Sequence, residues 1–297
     1  MCVKTRYNTA VIGCGRIAYF LENDLLRKKP CTHIGTILLS ERLNLTSVCD
    51  INDFKLQKFY TENRNLKVDY YSDWKKTLHN KNIDVVVISS STSSHIEILE
   101  YIMENPANIK AVICEKPISH EISRLKKISR KIKKNKISIY LNHTRRFNFN
   151  YQRVKEIIKK EILGKILRIE GKIFAGSQNF YPKPDTLLLH DGTHLIDTVF
   201  YITDFYPEKI KIDYYQNNQT FSGVKIKYNI DQCTDVSLVF RCDTDYFYFD
   251  IEIFLENGKI CVGNGRFEVF KSDKSVSFDG FREIYKTNLN VFNLETE

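Results

Sequence analysis

A short β-branched run, Thr9–Gly13 (TAVIG), leads directly into Gly13-Cys14-Gly15-Arg16-Ile17-Ala18. No other feature constrains the fold as tightly, because a buried strand that ends in GxGxxA predicts one kind of βα turn. Gly13 permits the tight turn, Gly15 lets a pyrophosphate approach backbone N–H groups, and Ala18 is small enough for close helix–strand packing. A helix is predicted from this turn through about Leu26. Four more strand-like runs follow at intervals: Leu45–Asp50 (LTSVCD), Ile83–Ser89 (IDVVVIS), Ala111–Glu115 (AVICE) and Lys136–Asn142 (KISIYLN). Ile83–Ser89 is apolar almost throughout, as expected for a parallel strand buried on both faces. Helical patterns at His95–Glu104 and Arg124–Lys136 lie between them. Strands alternating with helices predict a doubly wound, mainly parallel sheet in an α/β domain over residues 1–143.

Residues 144–297 change character. After a helix at Tyr151–Leu163 the pattern is mostly strands: Lys165–Ala175, Lys209–Tyr215, Gly223–Asn229, Asp235–Arg241, Tyr246–Leu255, Lys259–Val262 and Arg266–Phe270. Only Leu187–Tyr201 reads as another helix. Turn residues at Asn217-Asn218 and Glu256-Asn257-Gly258 imply a mainly antiparallel sheet. Ser89–Ser94 (SSSTSS) lies between a strand and a helix start, so it reads as a polar βα loop that caps the helix and lines a ligand crevice.

Composition excludes several classes. Mean hydropathy is −0.34, and no stretch reaches the ~20 apolar residues that span a bilayer. The N-terminal apolar run is too short for a secretory signal, which makes a cytoplasmic chain the expectation, with no membrane partner. The 8 cysteines form no CxxC pair, so reduced thiols are expected, and neither a zinc ribbon nor a disulfide framework. The net charge of +9 is uneven: residues 1–150 hold 26 Lys and Arg against 14 Asp and Glu, residues 151–297 hold 19 against 22. Much of the excess is Arg124–Lys136, where Leu125, Ile128 and Ile132 recur at helical spacing. That is an amphipathic helix with a solvated basic face. No aromatic platform accompanies it, so no nucleic-acid partner is expected.

Three motifs carry chemistry. Asp50 ends the second strand, where a carboxylate can accept both ribose hydroxyls of a dinucleotide and repel a 2′-phosphate. No basic residue immediately follows it, which favours NAD over NADP. Lys116, in Glu115-Lys116-Pro117, follows the fourth strand at the ligand edge of the sheet. Beside a cationic nicotinamide its ammonium form would be disfavoured, as a general base requires. His190 and His194, in His190-Asp191-Gly192-Thr193-His194, stand at i and i+4 on one helix face. HDxxH is a poor match to HExxH, having a shorter acid, a glycine and no third ligand, so no metal is expected. Each motif also has a purely structural reading: a glycine turn, a strand-end Asp, a surface Lys, and capping or core histidines.

Together these residues resemble the Gfo/Idh/MocA (glucose-fructose oxidoreductase/inositol dehydrogenase) family. GCGRIA, VCD, VVVISSSTSSHIEI, ICEKP, LNHTRRFNFNYQRVKEIIKKEILGKI and HDGTHLID occur in the family's order over most of the chain. The resemblance implies an N-terminal Rossmann domain and a C-terminal α/β domain with an open, mainly antiparallel sheet. That sheet commonly serves oligomerisation, here as a homodimer or homotetramer, and walls the substrate cleft. It also implies NAD held by Gly13, Gly15, Arg16, Ile17, Asp50, Ser90, Ser91, His95, Glu115 and Lys116. Lys116, His194 and His190 would act on the substrate, with Asp191, Arg145 and Arg146 binding it and Thr32-His33 bordering the cleft. Many family dehydrogenases carry Asp four residues before the His; here His190 stands there and Asp191 one place later. The implied activity is hydride transfer between NAD(H) and a secondary hydroxyl or ketone of a sugar or sugar derivative, including a nucleotide sugar. The alternatives are a non-catalytic NAD sensor, or an NAD-using glycosidase or lyase with no net redox.

Overall fold

The computed structural model describes residues 6–80, 82–106, 108–176, 183–217 and 220–289. The chain divides into two compact units, Met1–Asn142 and His143–Glu297.

The first unit is a six-stranded, wholly parallel sheet. Its strands are β1 (Tyr7–Ile12), β2 (Leu43–Cys49), β3 (Asp69–Tyr71), β4 (Val85–Ile88), β5 (Ala111–Cys114) and β6 (Ser138–Leu141), in the spatial order β3-β2-β1-β4-β5-β6. The order reverses between β1 and β4, the position where a parallel α/β sheet opens a crevice at its carboxyl edge. All four residues of β4 are buried, with one apolar cluster around Val86 and Ile88 and another around Val11, Val48 and Val87. The sheet is therefore covered on both faces, as its continuous β-branched text requires. Helices α1 (His33–Leu39), α2 (Asp53–Glu62), α3 (Trp74–Leu78), α4 (Thr92–Glu104) and α5 (Ile122–Lys134) supply the cover. In α5, Ile128 is buried and Leu125 and Ile132 pack against the core.

The helix predicted after the glycine turn does not run to Leu26. Gly15 and Arg16 carbonyls accept from Tyr19 and Leu21 N–H, one helical turn leads into a 3-10 segment at Phe20–Asn23, and α1 starts only at His33. Glu22 explains the interruption. Its carboxylate accepts from Thr32 Oγ1 at 2.6 Å and Cys31 N–H at 3.2 Å, folding residues 24–31 out as a loop, while Thr32 caps α1 through Gly35 N–H.

The second unit is an eight-stranded sheet. Its strands are β7 (Ile166–Ala175), β8 (Lys211–Asn217), β9 (Thr220–Asn229), β10 (Asp235–Arg241), β11 (Phe247–Leu255), β12 (Gly258–Gly263), β13 (Arg266–Lys274) and β14 (Arg282–Thr287). Their order is β14-β13-β12-β11-β7-β10-β9-β8, antiparallel except for the β7–β10 pair. Helices α6 (Phe149–Lys159), α7 (Pro184–Leu187) and α8 (Thr193–Thr203) contribute Val154, Ile157, Leu187, Leu195 and Val199 to a core with Ile169, Leu238 and Ile251. Alternate residues of the same strands, among them Arg168, Glu170 and Glu252, point to the opposite face. Sequence reading missed β14, because five of its six residues are exposed and leave no apolar alternation. The turn expected at Asn217-Asn218 lies partly outside the described residues, as does Cys2. Among the described residues no helix is long and apolar enough to cross a membrane.

Candidate active site

In the first unit the ends of β1, β2, β4 and β5 converge on the glycine turn. Gly13 has φ +96°, and a Cβ there would lie 2.3 Å from Ser90 N, so only glycine brings this turn against the serine loop. Gly15 differs: a Cβ would meet nothing within 4 Å. The space beside this position is open, the room a pyrophosphate needs to approach the turn. Arg16 is exposed and Ile17 half-buried beside it.

Asp50 is 8 % exposed. Its carboxylate accepts from Cys14 N–H at 2.8 Å and Asn52 N–H at 2.9 Å, fixing the end of β2 to the glycine turn while leaving lone pairs for a ligand. Lys55 Nζ stands 3.9 Å from Asp50. Sequence reading looked for a basic residue directly after Asp50 and overlooked one brought back by the first turn of α2. Desolvation and the Asp50 charge push the Cys14 thiol up to about 12, so it acts here as a small apolar group.

The serine loop is braced from below. Ser89 Oγ donates to Gly13 O at 2.9 Å, and Ser90 and Ser94 hydroxyls share a bond of 2.7 Å. Ser91 occupies the N-cap of α4 without a side-chain capping bond; its hydroxyl is exposed. His95, expected among the cofactor residues, is 1 % exposed. Its Nδ1 and Nε2 lie 2.9 Å from Pro117 O and Ser90 O. Both partners are carbonyls inside the fold, so this ring ties the serine loop to the Lys116-Pro117 turn rather than meeting a ligand.

Glu115 has a comparable internal role. Burial alone would raise its pKa, but bonds from His33 (2.9 Å) and Asn142 (2.6 Å) and from the Lys116 N–H hold it below the usual carboxylate range. The carboxylate thus fixes the backbone of Lys116, the half-buried residue at the ligand edge of β5. A depressed folded-state pKa contributes stability that is present above the unfolded carboxylate value and lost as pH falls through the folded one. Glu115→Gln is therefore expected to lose about 1.5–3 kcal/mol of stability near neutral pH. The gap from wild type, read by chemical denaturation, should close progressively below pH ~4.3. A gap independent of pH would refute the ionised pairing.

In the second unit α8 follows a π-helical turn, Leu188–Gly192, rather than one continuous helix. His190 lies in that π turn and His194 in the first turn of α8, so the two do not belong to one continuous α-helix. The His190 side chain is 57 % exposed and lies 3.3 Å from Asp191. Along α8, Leu195, Thr198, Val199 and Ile202 face the core, leaving His194, Asp197 and Tyr201 on another stripe. His143, which sequence reading did not single out, completes this cluster. Its ring stands edge-on to His194 with centroids 6.4 Å apart, and its Nδ1 lies 3.6 Å from Asp197. The only sequence signal was its place just before Thr144-Arg145-Arg146.

Arg146, expected to grip an anionic substrate, is otherwise engaged. It forks Asp197 at 2.9 and 2.6 Å, and that bond raises its pKa against a smaller desolvation effect. Arg145 is the other arginine expected to bind substrate. Its guanidinium lies 3.7 Å above the Phe249 ring, its buried Nε has no hydrogen-bond partner, and desolvation lowers its pKa against the opposing pull of Tyr151 and, less strongly, Asp191. It lines a cleft of about 330 Å³ with Asn148 and Asn264. Among the described residues no group of three His, Cys, Asp or Glu could hold a metal ion.

The family model for oxidoreductases with an NAD-binding Rossmann fold (GFO_IDH_MocA) matches residues 7–143. Myo-inositol 2-dehydrogenase of Thermotoga maritima is 26% identical over 165 residues, 54% of this chain and 44% of that protein. The chain spans about half the length of the curated relatives it matches. Among solved structures, the WlbA dehydrogenase from Bordetella pertussis in complex with NADH and UDP-GlcNAcA superposes with TM-score 0.73 at 18% identity, covering 90% of this chain and 83% of that one. A super-repressor mutant of Gal80p from Saccharomyces cerevisiae superposes with TM-score 0.75 at 16% identity, covering 97% and 81%. These two likenesses extend the shared fold across both units. Over residues 7–143 the chain matches the NAD-binding Rossmann domain of the Gfo/Idh/MocA family of oxidoreductases.

Proposed function

We propose that this chain is an NAD(H)-dependent oxidoreductase that interconverts a secondary hydroxyl and a ketone on a sugar or sugar derivative. The observation that carries the reading is the open space at Gly15 beside a carboxylate at Asp50, with Lys116 two residues beyond β5 in the same unit. Relatives that act on inositol, and a neighbour whose complex holds NADH and UDP-GlcNAcA, support the substrate class. Nucleotide sugars fall within it.

Gly13 and Gly15 would hold the pyrophosphate, and Asp50 the ribose. Lys55 beside Asp50 offsets part of the repulsion toward a 2′-phosphate, so NAD is preferred and NADP weakened rather than excluded. When bound, the nicotinamide supplies the hydride chemistry. Lys116 takes the proton of the substrate hydroxyl, its backbone fixed by Glu115 and the His95-braced turn. In the second unit His194 stands with His143 and Asp197 in a polar cluster of its own. Asp197, fixed by Arg146, orients His143 next to it and supplies a carboxylate where His190 replaces the usual Asp. The second unit's sheet offers the surface for a homodimer or homotetramer.

His190 in that position and the likeness to Gal80p favour a non-catalytic NAD sensor as the second reading. One experiment separates the readings: NADH titration by fluorescence, followed by a panel of inositols, sugars and nucleotide sugars with NAD monitored at the nicotinamide band. Binding with turnover is expected. Binding without turnover on any substrate favours the sensor. Product formed with no absorbance change and retained cofactor indicates a glycosidase or lyase, and absence of NADH binding removes all three.

A further inference from the structure

We propose that the outward face of the second unit's sheet carries a binding cleft for a polyphosphate oxyanion. Strand register is the starting point. Lys211 of β8 pairs directly with Lys227 of β9. Val224, Ile226 and Tyr228 are buried toward the core, so Lys225 and Lys227 project from the other face together with Lys211. Like charges directly opposite one another destabilise a strand pair. The same face avoids that arrangement nearby, where Arg168 pairs in register with Asp235 at 3.1 Å.

Three carboxylates stand in this region. Asp235 and Glu170 are taken by Arg168, and Asp213 reaches Lys227 only at 3.9 Å. Lys211 and Lys225 have no carboxylate oxygen within 4 Å among the described residues. Arg168, Lys211, Lys225 and Lys227 line one cleft of about 400 Å³, with Asp235 as its single acid and Ser237 as a neutral hydroxyl. The cleft lining itself carries four cations against one acid, with Glu170 and Asp213, the latter in register with Lys225, flanking it; those cations run against the acidic balance of residues 151–297. A pyrophosphate group, with its several acceptor oxygens and multiple negative charges, matches both the charge and the lysine donors. It would convert an unfavourable Lys–Lys pair into a bridged one, which is how a locally broken pairing rule comes to mark a site.

The test is calorimetric titration of the full chain with inorganic pyrophosphate and with ATP, at low and high salt. Wild type, Lys211→Ala and Lys225→Ala are compared. Wild type is expected to bind, with affinity falling as salt rises, and each substitution should weaken binding at least ~10-fold, about 1.4 kcal/mol. Pyrophosphate equal to or tighter than ATP identifies a free polyphosphate ligand, and tighter ATP identifies a nucleotide; either supports the cleft. Without ligand, Lys211→Gln should raise Tm slightly, because it relieves the like-charge pair, whereas a merely structural lysine would lower it. No heat with either anion overturns the proposal, as does equal affinity in wild type and variants, which would place the anion elsewhere. So does salt-sensitive self-association through these lysines without anion binding, read by sedimentation velocity.

Discussion

Lys116→Ala is expected to lower turnover on a sugar-type substrate by about 10²–10⁴-fold, the usual contribution of a positioned general base. The loss should fall on kcat more than on KM, because a lysine that accepts a proton acts on the reacting oxygen rather than on the whole substrate. NADH binding should change by no more than a few-fold, since the glycine turn and Asp50 are held by their own bonds to Cys14 and Asn52. Lys116→Arg should not restore activity: a guanidinium keeps its proton at any working pH. These outcomes separate a base from a surface cation, for which arginine would substitute well. Turnover within a few-fold of wild type in the alanine variant would remove Lys116 from the mechanism and move the chain toward the sensor reading.

The sequence exposed the parts of the molecule in which local pattern and burial coincide. β4 is legible because VVVI is buried on both faces, and the glycine turn because its φ and close approach exclude any other residue at Gly13. What stayed hidden depends on contacts distant in sequence. The helix after Ala18 looks continuous until Glu22 folds back onto Thr32 and Cys31. The stretch from Leu187 to Tyr201 reads as one helix, although a π turn at Leu188–Gly192 interrupts it. His143 and Asp197 are 54 positions apart and meet only through the packing of α6 and α8. The pairing of Arg146 with Asp197 was hidden for the same reason, since the two are 51 residues apart. His95 is the opposite case: the resemblance places it among the cofactor residues, and its neighbours Ile96, Ile98 and Leu99 draw that stretch of α4 into the core.

Gly13→Ala and Gly15→Ala should differ sharply in stability, although both alter the same motif and both weaken NADH binding. At Gly13 an added methyl meets Ser90 N at 2.3 Å and Ser89 C at 2.5 Å, at φ +96°. Those atoms cannot retreat cheaply. Ser89 N–H donates to Ile12 O at 2.8 Å, Ser89 Oγ to Gly13 O at 2.9 Å, and Ser90 O is held by His95. Left-handed strain plus overpacking makes a loss of about 3–5 kcal/mol the expectation, or a fall in Tm on the order of 10 °C, with NADH affinity lost alongside. At Gly15 the methyl enters open space, so thermal unfolding should stay within about a degree of wild type. The same methyl occupies the volume a pyrophosphate needs, and NADH affinity should fall ~10-fold or more, about 1.4 kcal/mol. Measuring Tm and NADH titration on both variants divides the motif into a residue that makes the turn and a residue that leaves the turn open. If Gly15→Ala binds NADH as tightly as wild type, the opening beside Asp50 is not where the dinucleotide lies, and the glycine motif reduces to a structural turn.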